Sequence, residues 1–301
     1  MPPEPAAPGR LTRRCPAKLN LLLHVGPLRD DGYHAVESVT LRIDLCDELT
    51  VEPAEDGALT LVCDAPGVPS DGTNLALRAA ELLRRATGVS HGARLRLEKR
   101  IPPGAGLGGG SSDAAGALLL LNELWRCGLS KPELMSLAAQ LGSDVPLFLG
   151  APLCALGGRG EVVTELEPQP AGWAVLVLSG LHAGTREVYA GFDRLPSPAA
   201  TTASEWLASA LGASPARRAC PVEPLLPHLR NDLEPAAMRV VLGLAELATA
   251  VRSASPQRFA MTGSGSALYT LCDSAAGAGA LVERLAAALP PSARAVAVTV
   301  S

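Results

Sequence analysis

The stretch Ile101-Pro-Pro-Gly-Ala-Gly-Leu-Gly-Gly-Gly-Ser-Ser112 constrains this chain more than any other. It follows an alternating pattern (Ala93, Leu95 and Leu97 against Arg94, Arg96 and Glu98), which is the two-residue period of a half-buried strand. It precedes an Ala/Leu run to Trp125 that reads as a buried helix, so the local order is strand, glycine loop, helix. Glycines lack the Cβ that keeps backbone N–H groups from converging on a phosphate, and a helix N-terminus follows directly. An anion site is the physical inference. Ser111 and Ser112 add hydroxyls able to bind phosphate or to enter a Mg²⁺ shell. The competing reading is a flexible or tightly packed turn, although three consecutive glycines cost entropy with no packing return visible in the sequence.

Gly104 to Gly109 also satisfies G-x-G-x-x-G, so a nicotinamide-dependent oxidoreductase stands as a rival. Its context is wrong for that fingerprint. Pro102 and Pro103 separate strand from glycines, and Glu123, the acidic residue some twenty positions on, falls inside the same long helix. No Lys-Ser or Lys-Thr follows the last glycine, which excludes a Walker loop. A cation for bound phosphates must therefore come from elsewhere in the chain.

With 301 residues, 48% of them apolar, the chain is long enough for about two domains. Gly (30) and Pro (26) together stay below the ~25% typical of low-complexity disorder. A net charge of -4 gives no basic field for nucleic acid, and no apolar run reaches the ~18 residues of a membrane helix. The segment Met1 to Arg14 lacks a secretory core, so the expectation is a cytoplasmic protein with a disordered first ten or so residues. Seven cysteines, odd in number and without a C-x-x-C pair, read as reduced packing residues, and the five scattered histidines do not suggest zinc.

Lys18 to Val25 and Val39 to Leu49 read as two strands of one sheet, separated by the turn Arg29-Asp-Asp-Gly32. Asn74 to Ala86 reads as a helix with Leu75, Ala79, Leu82 and Ala86 on one face and Thr73 or Asn74 as its cap. Ser130-Lys-Pro-Glu133 matches a capping box for a helix ending near Gly142. Further on come a strand (Ala174 to Leu178) and helices within Glu205 to Leu211 and Pro235 to Val251. A strand (Arg258 to Met261), a Thr262–Ser266 turn, a strand (Ala267 to Leu271), a helix (Ala278 to Leu289) and a strand (Ala293 to Val300) close the chain. That is the split βαβ pattern of a ferredoxin-like layer. The domain boundary falls somewhere from Leu149 to Arg159, and Pro196–Thr202 and Pro215–Pro227 read as surface loops.

Pro16-Ala-Lys-Leu-Asn-Leu21 places Lys18 and Asn20 on one face of a strand, where a buried lysine needs an anionic partner. An edge-strand lysine reaching water is the commoner arrangement. Asp144, after Gly142 and before Pro146, fits either that partner or an ordinary helix N-cap. Thr262-Gly-Ser-Gly-Ser266 reads as a hairpin turn or a second backbone cradle.

In this order, Pro16–Leu21, Pro103–Ala115 and Met261–Ser266 resemble the three signature regions of the GHMP small-molecule kinases, and the resemblance spans nearly the whole chain. Asp31-Gly-Tyr-His34 and Gly142-Ser-Asp-Val-Pro146 are similar to members acting on a cytidine-diphosphate-linked methylerythritol. No galactokinase-type Gly-Glu-His opening is present, although another GHMP small-molecule kinase stays open as an alternative. The resemblance implies a two-domain α+β fold, with an N-terminal ribosomal-protein-S5-domain-2-like ATP-binding domain (1–155) and a C-terminal ferredoxin-like domain (156–301). It implies ATP and Mg²⁺ as cofactors and phosphorylation of the 2-hydroxyl of that small-molecule substrate in the non-mevalonate isoprenoid route, by a monomer or weak homodimer. By the same resemblance Lys18 and Asp144 are the catalytic pair, and Pro103, Gly104, Ala105, Gly106, Leu107, Gly108, Gly109, Gly110, Ser111 and Ser112 hold the ATP phosphates. Asn20, Tyr33, His34, Thr185 and Tyr189 line the substrate. Two positions depart from the pattern: Thr40 stands where relatives often carry a second aromatic against the base, and Arg186 where they often have proline.

Overall fold

The computed structural model describes residues 9–167, 169–211 and 219–300, so the expected disorder of the first ten or so residues falls mostly outside it. The chain forms two compact units that interleave in sequence. One comprises Met1–Pro16, Cys46–Ile101 and Gly109–Leu149; the other comprises Ala17–Leu45, Pro102–Gly108 and Gly150–Ser301. Two long strands, β1 (Leu11–Leu28) and β2 (His34–Ala54), are neighbours in one sheet and run through both units. They extend well beyond the two apolar runs read from the sequence: the added ends of β2 stay largely buried or half-buried, whereas those of β1 at Thr12–Arg14 and Pro27–Leu28 are exposed.

In the first unit β2 pairs antiparallel with β4 (Gly92–Glu98), which pairs parallel with β3 (Leu59–Cys63). The β4 side chains alternate buried and exposed as its two-residue period demands. Helix α1 (Leu75–Thr87) is capped by Asn74, whose side chain accepts the Ala76 N–H at 2.9 Å. Its buried stripe is Ala76, Ala79, Ala80 and Leu83; the expected face of Leu75, Ala79, Leu82 and Ala86 is rotated from the real one, and Ala86 is exposed. Helix α2 (Gly109–Leu124) is buried over most of its surface and packs on α1, as its Ala/Leu composition implied. Helix α3 (Lys131–Leu141) begins as the capping box required, with Glu133 accepting the Ser130 N–H at 2.7 Å, and ends at Gly142.

In the second unit β1 pairs parallel with β10 (Arg230–Asn231), while β2 pairs with β5 (Leu153–Gly157), itself paired with β6 (Val162–Glu165). β10 meets β1 only at Leu22 and Leu23, and at Lys18 the backbone N–H is taken by the Leu107 carbonyl; the side chain is buried and does not reach water as an edge-strand lysine would. A second sheet has the order β11 (Ala260–Met261), β12 (Leu268–Cys272), β8 (Trp173–Leu178), β13 (Arg294–Thr299), all pairs antiparallel. This order is the one the split βαβ pattern calls for. Short strands β7 (Gln169–Ala171) and β9 (Ala219–Pro221) pair parallel. Helices α4 (Thr185–Phe192), α5 (Ala203–Leu211), α6 (Glu234–Val240), α7 (Leu244–Ala254) and α8 (Ala275–Ala286) complete the unit. Its core includes Val175, Val177, Val251, Leu268, Leu281 and Leu285.

Several expectations need correction here. The span Pro235–Val251 is two helices, because Val241 is extended and Gly243 adopts φ +84 between α6 and α7. Helix α8 starts three residues earlier than expected, where Ser274 Oγ accepts the Gly277 N–H at 3.1 Å. The strand expected over Arg258–Met261 has only its last two residues. Of Pro215–Pro227, residues 215–218 lie outside the described residues, while the rest forms β9 and a 3₁₀ turn over Glu223–His228 instead of a plain loop. Helix α4 was not foreseen at all.

Candidate active site

Lys18 and Asn20 share a face of β1, two residues apart, and both are buried. Lys18 Nζ donates to Asn20 Oδ1 at 2.6 Å. That oxygen also accepts the Gly263 N–H (2.9 Å) and the Thr262 hydroxyl (3.2 Å), while Asn20 Nδ2 donates to Ser38 Oγ (2.9 Å). The amide is thereby fixed in one orientation. Tyr269 donates its hydroxyl to the Asn20 carbonyl at 2.7 Å, and burial, with the Glu234 charge adding, pushes that phenol up. Asn231 Nδ2 bridges the Met261 and Gly263 carbonyls at 2.8 Å each. The Thr262–Ser266 turn connects antiparallel β11 and β12, as the hairpin reading expects, and it also lies against the Lys18 strand through Asn20.

The glycine loop meets the same turn backbone to backbone. Three of its carbonyls accept backbone amides, Gly104 from Ala183 N (3.3 Å), Ala105 from Ala267 N (3.1 Å) and Leu107 from Lys18 N (3.0 Å), and the Gly106 carbonyl lies 3.4 Å from the Thr262 hydroxyl. The amides of Gly106, Leu107 and Gly108 donate to no protein group among the described residues. Gly104, Gly106 and Gly108 all have φ near +70. A Cβ at Gly106 would lie 2.1 Å from the Thr262 carbonyl oxygen, and one at Gly104 would lie 2.1 Å from the His182 ring. Gly109 would bring its Cβ to 2.9 Å from Ile101. The glycines therefore do have a packing reason that the sequence hid, and the turn is both tightly packed and left with open amides.

The other expected substrate residues fall into separate contacts. His34 lies 5.5 Å from the Tyr189 ring and 5.8 Å from Phe192, edge on. Its Nδ1 faces the Gly26 carbonyl (2.9 Å) and its Nε2 the Asp193 carboxylate (3.0 Å), so both ring nitrogens already have acceptors. Helix α4 places Thr185, Tyr189 and Phe192 on one side by its i, i+4, i+7 spacing. Thr185 Oγ1 lies 3.0 Å from Ser264 Oγ of the glycine-rich turn. Tyr33 is half exposed, with the Arg159 guanidinium 4.9 Å from its ring centre. Thr40 is fully buried and donates to the Cys154 carbonyl. Asp144 sits in the first unit, in a turn closed by the Val145 N–H on the Gly142 carbonyl. Ser112 Oγ, at the start of α2, is buried without a partner.

Sequence reasoning missed Tyr269, Asn231, Ser38 and His182, whose residue types are unremarkable and whose neighbours are distant in sequence. It also missed a buried cluster, Lys99 with Asp47 and Asp113. Among the described residues there is no His/Cys/Asp/Glu group able to hold a metal ion by itself.

A glycine turn with open amides thus lies beside a buried lysine strand and a second glycine turn, and these three segments are the ones whose motifs resemble the GHMP kinases in the sequence. Residues 74–152 match the family described as GHMP kinases N terminal domain. The chain is 38% identical over 283 residues to the 4-diphosphocytidyl-2-C-methyl-D-erythritol kinase of Ralstonia nicotianae, covering 93% of this chain and 92% of that one. A crystal structure of 4-(cytidine 5'-diphospho)-2C-methyl-D-erythritol kinase superposes with a TM-score of 0.75 at 35% identity, covering 97% of this chain and 99% of that one. Mevalonate kinase of L. major shares the fold alone (TM-score 0.71, 16% identity, 98% and 99% covered). The chain belongs to the 4-diphosphocytidyl-2-C-methyl-D-erythritol kinases, and so is a small-molecule kinase that uses ATP. The oxidoreductase alternative is set aside by this membership.

Proposed function

We propose that the chain transfers the γ-phosphoryl group of ATP to the 2-hydroxyl of 4-(cytidine 5'-diphospho)-2-C-methyl-D-erythritol, with Lys18 and Asp144 as the catalytic pair. The observation that carries the phosphate half of this reading is the set of open amides at Gly106, Leu107 and Gly108, the carbonyls of Gly104 to Leu107 facing protein groups. Such amides, followed by the N-terminus of the 16-residue α2, suit an anion. The loop from Pro103 to Ser112 then cradles the phosphates. Ser112 Oγ, a buried hydroxyl without a partner, fits a Mg²⁺ shell of hard oxygen donors. Mg²⁺, when bound, offsets charge on the transferring group.

Lys18 supplies the cation that the loop lacks, held by Asn20, and Asp144 accepts the proton of the attacking hydroxyl. Phosphoryl transfer asks little covalent chemistry of the protein, so orientation and charge placement make up most of what these residues do. Tyr189 offers its ring to the cytosine. With the His34 ring nitrogens occupied, the backbone of the Tyr33-His34 segment is the better group for the base edge, and the ring serves to seat Tyr189. Thr185 lies at the substrate beside Ser264. The reading takes 1–155 as the ATP-binding domain and 156–301 as its C-terminal partner, in chain order.

The test is a coupled ADP-release assay with the cytidine-diphosphate-linked methylerythritol, homoserine, mevalonate and galactose as acceptors. Turnover is expected with the first alone. Asp144→Asn is expected to lower kcat by about 10²–10⁴ while sparing ATP binding, the usual contribution of a positioned acid or base. His34→Ala is expected to raise KM for the cytidylyl substrate more than for ATP. Unchanged turnover in Asp144→Asn, or equal KM effects in His34→Ala, removes the respective assignment.

A further inference from the structure

Lys99, just past β4, points its ammonium at two carboxylates, bonding Asp47 Oδ2 and lying 2.8 Å from Asp113 Oδ2. All three side chains are buried. The other Asp47 oxygen accepts the Arg100 and Ile101 N–H groups, at 2.6 and 2.8 Å. Asp113 is the fifth residue of α2. One ammonium thus joins the end of the strand that enters the glycine loop to the first turns of the helix that leaves it. Gly109 completes the junction, since a Cβ there would meet Ile101 at 2.9 Å and Lys99 Nζ at 3.1 Å.

Stability alone does not explain Asp113. Two buried carboxylates against one ammonium are worse than a balanced pair, because the second charge loses its water without a full partner. Asp113 Oδ1 has no hydrogen bond. Alanine at this position would extend the run Ala114-Ala115 with better helix propensity and leave Lys99 paired to Asp47. A local rule broken at the mouth of a functional loop points to the loop.

We propose that Lys99, Asp47 and Asp113 are positioning residues that clamp the two ends of the glycine loop in the shape that receives the nucleotide phosphates, with Asp113 the tether on the helix side. The proposal rests on the reading that residues 103–112 hold ATP. Asp113→Ala cuts the tether and leaves a balanced Lys99–Asp47 pair; Asp113→Asn keeps an acceptor for Lys99; Gly110→Asp puts a carboxylate into the loop itself, where a Cβ meets nothing closer than Leu75 at 3.7 Å.

In the full chain, thermal midpoint, calorimetric Kd for the ATP analogue AMP-PNP, and KM for ATP and acceptor are measured. Asp113→Ala is expected to keep or raise the midpoint, weaken AMP-PNP and raise KM for ATP about tenfold, and change the acceptor KM less than twofold. Asp113→Asn is expected to stay within about threefold of the parent. Should Asp113→Ala not fold, Asp113→Ser, too short to reach Lys99, carries the same expectation. The clamp is overturned if the cut variant binds AMP-PNP like the parent, if both KM values rise together, or if Asp113→Asn is as weak as Asp113→Ala. Retained AMP-PNP binding in Gly110→Asp overturns the phosphate-loop reading together with the clamp, whereas its loss beside an unaffected Asp113→Ala overturns the clamp alone.

Discussion

Single residues here carry opposed demands. Burial raises the Asp113 carboxyl, Lys99 opposes that, and the Asp47 charge adds to it, so the group is pushed up to about 7 from the ordinary 3.8. The same burial, with Asp113 and Asp47 next, pushes up the Cys15 thiol on neighbouring β1, which keeps it protonated. A folded-state value above the unfolded one means that the native chain holds a proton the unfolded chain releases. Its contribution to stability is complete below about pH 4 and is lost as pH rises to about 7, with a slope no steeper than about 1.4 kcal/mol per pH unit. The thermal midpoint of the parent minus that of Asp113→Asn should therefore be more positive at pH 5 than at pH 8. A difference that does not change with pH would show that Asp113 does not bind this proton.

At the scale of elements, the two glycine turns are one structure made from distant sequence. Gly106 and Gly263 face each other's backbone, with hypothetical Cβ atoms at 2.1 and 2.7 Å from the opposing chain, and both have positive φ. An alanine at either position must both adopt left-handed backbone and displace a peptide. Gly106→Ala should cost several times the ~1 kcal/mol of an ordinary glycine replacement and abolish nucleotide binding, whereas Gly110→Ala, in ordinary contact distance of Leu75, should be near neutral or stabilising. Urea midpoints of the two variants decide it, and equal midpoints would refute the close approach. The α1 cap, the α3 capping box and the β4 alternation were legible beforehand, since each depends on residues within four positions of one another. The α6–α7 break was not, because the Leu/Ala pattern continues across it while Val241 takes extended backbone and Gly243 a left-handed one.

For the molecule as a whole, free cysteines report on the cores of both units. Cys15, Cys46, Cys154 and Cys272 are buried, and Cys63, Cys127 and Cys220 partly exposed. Ellman's reagent should modify at most those three rapidly in the native protein and all seven in denaturant. Rapid reaction of more than three would contradict the burial. Among the described residues no helix is long and apolar enough to cross a membrane, in keeping with the hydropathy of the sequence.

The order of elements, the strand–glycine–helix junction and the three family motifs were written in the sequence, because they rest on local periodicity, on missing side chains and on short spacings. The chain order alone separates 1–155 from 156–301, but the compact units take Ala17–Leu45, Pro102–Gly108 and residues 150–155 from the first part and group them with the second. Which helix face is buried, why the glycines must be glycines, and how Asp47, Lys99 and Asp113 meet were decided only by folding. Each depends on atoms tens to hundreds of positions apart, and the free energy of such a contact has no trace in the residues beside it.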